Sequence, residues 1–159
     1  MYQMFIYATV CIVLFIWASC IDLKEFILPD WITLPLIASG VIFNSFSENY
    51  FCSSTDSWLG ILIGYGLIRL VDECYFKLKK QHGIGQGDAK LLAAIGAILG
   101  WQTIFPILSF AAILGLIVGL FLIRFKNLTL KNQIPFGPFL SLFACVFILE
   151  RVISTILET

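Results

Sequence analysis

Charge is scarce in this sequence. Of its 159 residues, 13% are Asp, Glu, Lys or Arg and 60% are hydrophobic. A water-soluble domain of this size would expose far too much of that apolar surface, so a soluble fold is excluded. Histidine is nearly absent: His82 stands alone in a Lys-rich loop, without metal-spaced partners. It is read as solvated, and no Ser/His/Asp or Cys/His arrangement stands out. The five cysteines, Cys11, Cys20, Cys52, Cys74 and Cys145, include no C-x-x-C pair. That argues against a zinc site or a redox pair and leaves them as small packing residues. Formal charge is zero, so there is no field to attract nucleic acid. No Lys or Arg precedes the first apolar run, so the basic region of a signal peptide is missing. The run is expected to remain as a first membrane helix.

What is there is hydrophobic length. Mean hydropathy is +0.97, and apolar segments run at about 4–21, 31–47, 57–76, 89–101, 103–123 and 137–157. Polar breaks separate them, and no repeat, linker or low-complexity tract appears. The expectation is an all-α, polytopic integral membrane helical bundle: one domain over 1–159, with about six transmembrane helices. The fourth segment is short, roughly 20 Å at 1.5 Å per residue. It falls short of a hydrocarbon core of about 30 Å, so its start is expected within protein, beside a water-accessible cavity.

Loop charges orient the bundle. Lys24 follows the first segment, Lys77, Lys79, Lys80 and Lys90 flank the start of the fourth, and Arg124, Lys126 and Lys131 follow the fifth. The opposite loops carry Glu48 and Asp56 and no Lys or Arg. The positive-inside rule then places the N-terminus outside and the basic loops in the cytoplasm. Three small-xxx-small pairs, Gly60/Gly64, Gly96/Gly100 and Gly115/Gly119, mark expected packing faces on the third, fourth and fifth helices.

That orientation brings two acids to one membrane face. Asp22 ends the first helix and Asp88 opens the fourth, both on the cytoplasmic side. An acid beside hydrocarbon is costly, which makes it a functional candidate. Two neighbouring carboxylates share a proton, so one can serve as base toward water and the other as acid toward a peptide carbonyl. Gly85 and Gly87 are expected to give the backbone beside Asp88 unusual dihedrals and to let a substrate strand approach. Asp88, at a helix N-terminus, is expected to be the more acidic partner. The structural alternative is a solvated helix-end Asp22 and an ordinary N-cap Asp88.

"GIGQGDAKLLAAIGAILGWQ" (84–102 and the residue before) resembles the G-x-G-D segment of bacterial type IV prepilin peptidases. "IDLKEFILPDWITLPLI" resembles the first catalytic segment of that family, and "GYGLIRLVDECYFKLKK" and "IPFGPFLSL" resemble later segments in the right order. The resemblance implies an aspartic endopeptidase with Asp22 and Asp88 as the catalytic pair. It implies prepilin or pseudopilin substrates, whose short basic leader is removed at the cytoplasmic side of the inner membrane. It implies no metal or other cofactor, and lipid as the surroundings. Longer family members add paired C-x-x-C motifs and N-methylation. Here no C-x-x-C is present, so peptidase activity alone is expected.

Other polar residues carry two readings each. Asp30, after Pro29, reads as an N-cap. Lys90 either biases the field at Asp88 or sits in the membrane interface. Arg69, Asp72 and Glu73 form a local cluster on the third helix, or Asp72 and Glu73 meet a basic substrate leader. The basic loop 124–133 suits lipid head groups, and the prolines of "IPFGPFL" set how the sixth helix begins. Rival functions are a small transporter or channel with intramembrane acids, and an inactive assembly subunit of a pilus or secretion system.

Overall fold

A computed structural model describes residues 2–46, 51–80, 85–126 and 135–157. Along them run six α-helices, with no strand among the described residues. In order they are α1 (Tyr2–Glu25), α2 (Asp30–Phe46), α3 (Ser54–Lys79), α4 (Gln86–Leu99), α5 (Ile104–Lys126) and α6 (Gly137–Leu157). A 3-10 turn, Trp101–Thr103, leads into α5. Each apolar segment of the sequence has become one helix, and α1 and α3 run on for several polar residues. Among the described residues three stretches are long and apolar enough to cross a membrane: Tyr2–Glu25, Trp101–Phe125 and Gly137–Leu157. α2 is apolar but has 17 residues, and α3 has 26 but carries charge through its last turns. The result is an all-α, polytopic membrane bundle.

α4 is its axis. Every residue from Leu91 to Gly100 is buried, as expected of a helix that is hydrophobic all round. α3, α2 and α6 pack around it, and α5 touches it more lightly. Fourteen residues give a rod of about 21 Å, so α4 is a post inside the protein rather than a membrane span.

Glycine sets how closely the neighbours approach. Gly60 of α3 and Gly96 of α4 lie backbone to backbone, and a Cβ on either would overlap the carbonyl of the other. One turn away, a Cβ on Gly64 would fall 2.7 Å from the Leu92 carbonyl oxygen. Gly40 of α2 meets Ala97 in the same way, at 2.8 Å. The expected packing faces therefore hold for Gly60, Gly64 and Gly96. Gly100 does something else: at φ 86° and ψ 165° it ends α4, a backbone state that side chains disfavour. Gly115 meets only the Phe136 and Phe139 rings at ordinary contact distance, so the expected close approach at α5 is absent there.

The carbonyls at the C-terminal end of α4 have no partner within the helix. Buried Asn44 of α2 donates to the Ala97 and Ile98 carbonyls at 3.0 Å each, and the Ser57 hydroxyl of α3 donates to Ala97. Beside them Ser53 caps α3, and Asp56 accepts from the Trp101 indole at 3.0 Å. The outer surface is apolar: α5 alone exposes Phe105, Ile113, Leu116, Ile117, Leu120 and Phe121. Such a patch suits lipid, not water. All five cysteines are free thiols; Cys11 and Cys52 pack in the interior, whereas Cys20 and Cys74 face outward.

Candidate active site

At the other end of α4, the last turn of α1 and the first turns of α2, α4 and α6 converge. α1 stops at Phe26, whose φ of 55° is left-handed and whose N–H donates to the Asp22 carbonyl at 3.0 Å. This is a helix-ending bond of the αL type, made here without glycine at a cost of about 1–2 kcal/mol. The chain then reverses through Leu28 into α2. The Pro29 carbonyl accepts from the N–H groups of Ile32 and Thr33, at 3.1 and 3.3 Å. Pro29 is therefore the cap, and Asp30 lies one residue inside the helix, which corrects the N-cap expectation. Its exposed carboxylate is instead free to pair with the Lys90 ammonium of α4.

The Asp22 side chain is 5% exposed. Its Oδ2 accepts from the Gly137 N–H at 3.0 Å. The local sequence explains why that donor is available. The Phe136 carbonyl takes the N–H groups of Phe139 and Leu140, and Pro138 has none. The N–H of Gly137, the first residue of α6, has no partner within the helix. Glycine is also required by space, because a Cβ there would fall 2.6 Å from Asp22 Oδ2.

Asp88 is the third residue of α4, and its N–H bonds the Gly85 carbonyl at 3.2 Å. A cleft of about 320 Å³ holds both acids, with Phe26, Leu28, Asp30 and Lys90 also on its wall. Burial pushes the Asp88 carboxyl up to about 7, and the negative charge of Asp22 adds to the effect. Its helix is too short to be a span, and Asp88 lies in the first turn.

Gly85 and Gly87 differ from expectation. Gly85 is extended at φ −65° and ψ 134°, and among the described glycines only Gly100 has positive φ. Neither glycine beside Asp88 therefore supplies an unusual dihedral. What Gly87 supplies is room: a Cβ there would stand 2.8 Å from the Leu28 Cβ. Leu28 is also 3.2 Å from where a Gly137 Cβ would be. The buried Leu28 is thus a wedge between α4 and α6, seated on two positions without side chains.

The structure does not bring the remaining candidates into one acidic surface. Asp72 is buried on the α3 face that carries Gly60, Gly64 and Ile68, while Glu73 is exposed. Lys90 lines the cleft, but its ammonium is engaged by Asp30. His82 and residues 127–134 of the basic loop lie outside the described residues. Among the described residues no three His, Cys, Asp or Glu side chains gather as a metal site. Sequence reasoning missed the Gly137 amide and Leu28. The available signal was a glycine at the start of a helix, followed by proline: an unpaired N–H with no side chain in front of it.

Residues 9–120 match the model of the Type IV leader peptidase family. The chain belongs to that family. The matched region contains Asp22 and Asp88 and ends before α6. The chain is 40% identical over 140 residues to the leader peptidase HopD of Escherichia coli, covering 86% of this chain and 84% of HopD. It is 38% identical over 122 residues to a prepilin leader peptidase/N-methyltransferase of Aeromonas hydrophila, covering 77% of this chain. A protein of the same name in Dickeya chrysanthemi is 32% identical over 147 residues. The chain spans 41% of the length of the Aeromonas relative and 51% of the Dickeya relative. No solved structure matches the chain.

Proposed function

We propose that this family member is an aspartic endopeptidase. Its substrates are type IV prepilins or pilin-like secretion subunits, cut at the cytoplasmic face of the bacterial inner membrane. One observation carries the reading: Asp22 and Asp88, far apart in sequence, line the same cleft at the same end of α4. A pair of carboxylates sharing one proton is the equipment for peptide hydrolysis without a covalent intermediate. Gly85 and Gly87 shape the α4 side of that cleft, and Lys90 with Asp30 forms its rim.

Membrane placement rests on charge. Lys24 follows Asp22, and Lys77, Lys79 and Lys80 end α3 at the bundle end where α4 begins. That bias supports a cytoplasmic cleft and an external N-terminus. A prepilin docks with its basic leader toward the cytoplasm and its apolar segment against the bundle. The names of the longer relatives include N-methyltransferase, but most or about half of their length lies outside the match. Only the peptidase activity is carried over.

The test is cleavage of a tagged prepilin by the full chain in lipid nanodiscs. Asp22→Ala and Asp88→Ala should each lower the rate by at least about 100-fold in protein that still folds. Leader removal that survives either substitution in a folded protein sinks the reading.

A further inference from the structure

We propose that the N-terminal end of α6 divides the labour of the two acids: the Gly137 amide holds Asp22 as the carboxylate base, and Asp88 keeps the shared proton as the acid. The inference rests on the peptidase reading above and deepens it. It also reverses the order expected from sequence, where the start of α4 was to favour charge on Asp88.

Both acids sit near a helix N-terminus, so proximity alone does not separate them. The hydrogen bonds do. Asp22 accepts from an N–H that has no partner inside its own helix, at 3.0 Å and out of water. Such a bond is roughly twice as strong to an ionised acceptor as to a neutral one. α6 has 21 residues, and the positive end of its dipole acts in the same direction. No described residue donates to the Asp88 carboxylate. Its own N–H is used on Gly85, whose cap position offers no side-chain bond. Burial disfavours charge on both acids, but among the described residues only Asp22 has a bond that offsets it, and its charge then adds to the effect of burial on Asp88.

Among the described residues no cation explains the asymmetry. From α4, Asp88 and Lys90 line the cleft with Asp22, and from α2 Asp30 does, but Lys90 and Asp30 neutralise each other. On α1 itself Lys24 and Glu25 are exposed and opposite in sign. The first two turns of α6 carry no ionisable group, and the third carries only Cys145. A backbone N–H is well suited to this task because it does not titrate and has no rotamers.

The chemistry then closes. Asp22 takes a proton from water as the water oxygen bonds to the scissile carbonyl carbon. Asp88 gives its proton to the carbonyl oxygen, leaving a neutral gem-diol. As the C–N bond breaks, Asp22 passes its proton to the departing amine. One hydroxyl of the diol returns a proton to Asp88, and the resting state is restored.

The test is carboxyl titration by 13C NMR of Asp-labelled full-length protein in nanodiscs. Asp88 is read in Asp22→Asn, and Asp22 is read in Asp88→Asn. Asp88 is expected to hold its proton to higher pH than Asp22; an equal or reversed order overturns the assignment. Gly137→Ala, added to Asp88→Asn, should raise the Asp22 midpoint by about one pH unit. In the otherwise unchanged enzyme it should move the acidic limb of the cleavage profile upward by the same amount. A purely structural defect lowers the rate without moving that limb, and an unmoved limb overturns the proposal. If Gly137→Ala does not fold, the order of the two single-variant titrations decides. A reversed order with cleavage still lost in Asp22→Ala and Asp88→Ala removes only the charge assignment. Cleavage that survives either of those substitutions removes the peptidase reading itself.

Discussion

Leu28 shows how one apolar side chain can set the position of two acids. It fills the space left by Gly87 and Gly137 and ties the reversal after α1 to the first turns of α4 and α6. Gly87→Ala would bring two Cβ atoms to 2.8 Å, and the cleft must widen to relieve it. Cleavage should fall by roughly 10- to 100-fold, as a misplacement of about 1 Å commonly costs. Adding Leu28→Ala should restore part of the rate, whereas Gly85→Ala, with Asp88 Oδ2 at 3.4 Å, should leave the fold intact. Steady-state kinetics of the three variants check this. Asp88 makes a second prediction. Folded, it keeps its proton to about 7; unfolded, it releases it near 3.8. Between those values the folded state binds more protons, so stability falls as pH rises. Asp88→Asn removes that penalty. It should unfold at higher temperature than the parent at pH 8, by roughly 2–4 kcal/mol, with the gap closing toward pH 4. A gap independent of pH in detergent melts would refute the buried-acid account.

The packing faces of α3 and α4 were legible in the sequence, because Gly60 and Gly64, and Gly96 and Gly100, lie at helical spacing in apolar segments. The same pattern also marked Gly100 and Gly115, where it meant something else. Spacing says which residues share a helix face, not which neighbour that face meets. Gly100 turned out to be a terminus and Gly115 a seat for two phenylalanines. The same limit hid the α6 amide: "IPFGPFL" announces a helix start, but only the fold shows an acid from α1 in front of it. The pair Asp22 and Asp88 was legible because loop charge sorts residues by membrane side. The relief that Gly87 gives Leu28 was not, because it depends on distance between elements. Substitutions should follow the same division. Gly96→Ala would place a Cβ against the Gly60 carbonyl and should prevent the bundle from folding. Gly66, on α3 with nothing within 4 Å, should accept Ala with a gain of up to about 1 kcal/mol. Thermal unfolding of the two purified variants tests the contrast.

The whole molecule is a post fixed at both ends. At one end α4 presents Asp88 to the cleft. At the other its last carbonyls are held by Asn44 and Ser57. Asn44→Leu leaves the Ala97 carbonyl to Ser57 alone and the Ile98 carbonyl to a weak Cys52 thiol donor at 3.7 Å, a loss of about 1–3 kcal/mol. The variant should melt earlier by a few kcal/mol while the pH limits of cleavage stay where they were, because the acids are untouched. A shift of those limits would mean that the far end of α4 tunes the cleft directly. Only one end of this arrangement borders the cleft, and the apolar outer faces of α1, α5 and α6 suit lipid.

A helix buried on every side has a consequence for how the protein is made. α4 has no lipid-facing surface and too little length to leave the insertion machinery as a free segment. Its closest neighbour is the helix synthesised just before it, and their backbones touch at Gly60 and Gly96. The two are therefore expected to enter the bilayer together, as a hairpin. Translation delivers α3 before α4, so the order of synthesis supplies the surface that the buried helix needs.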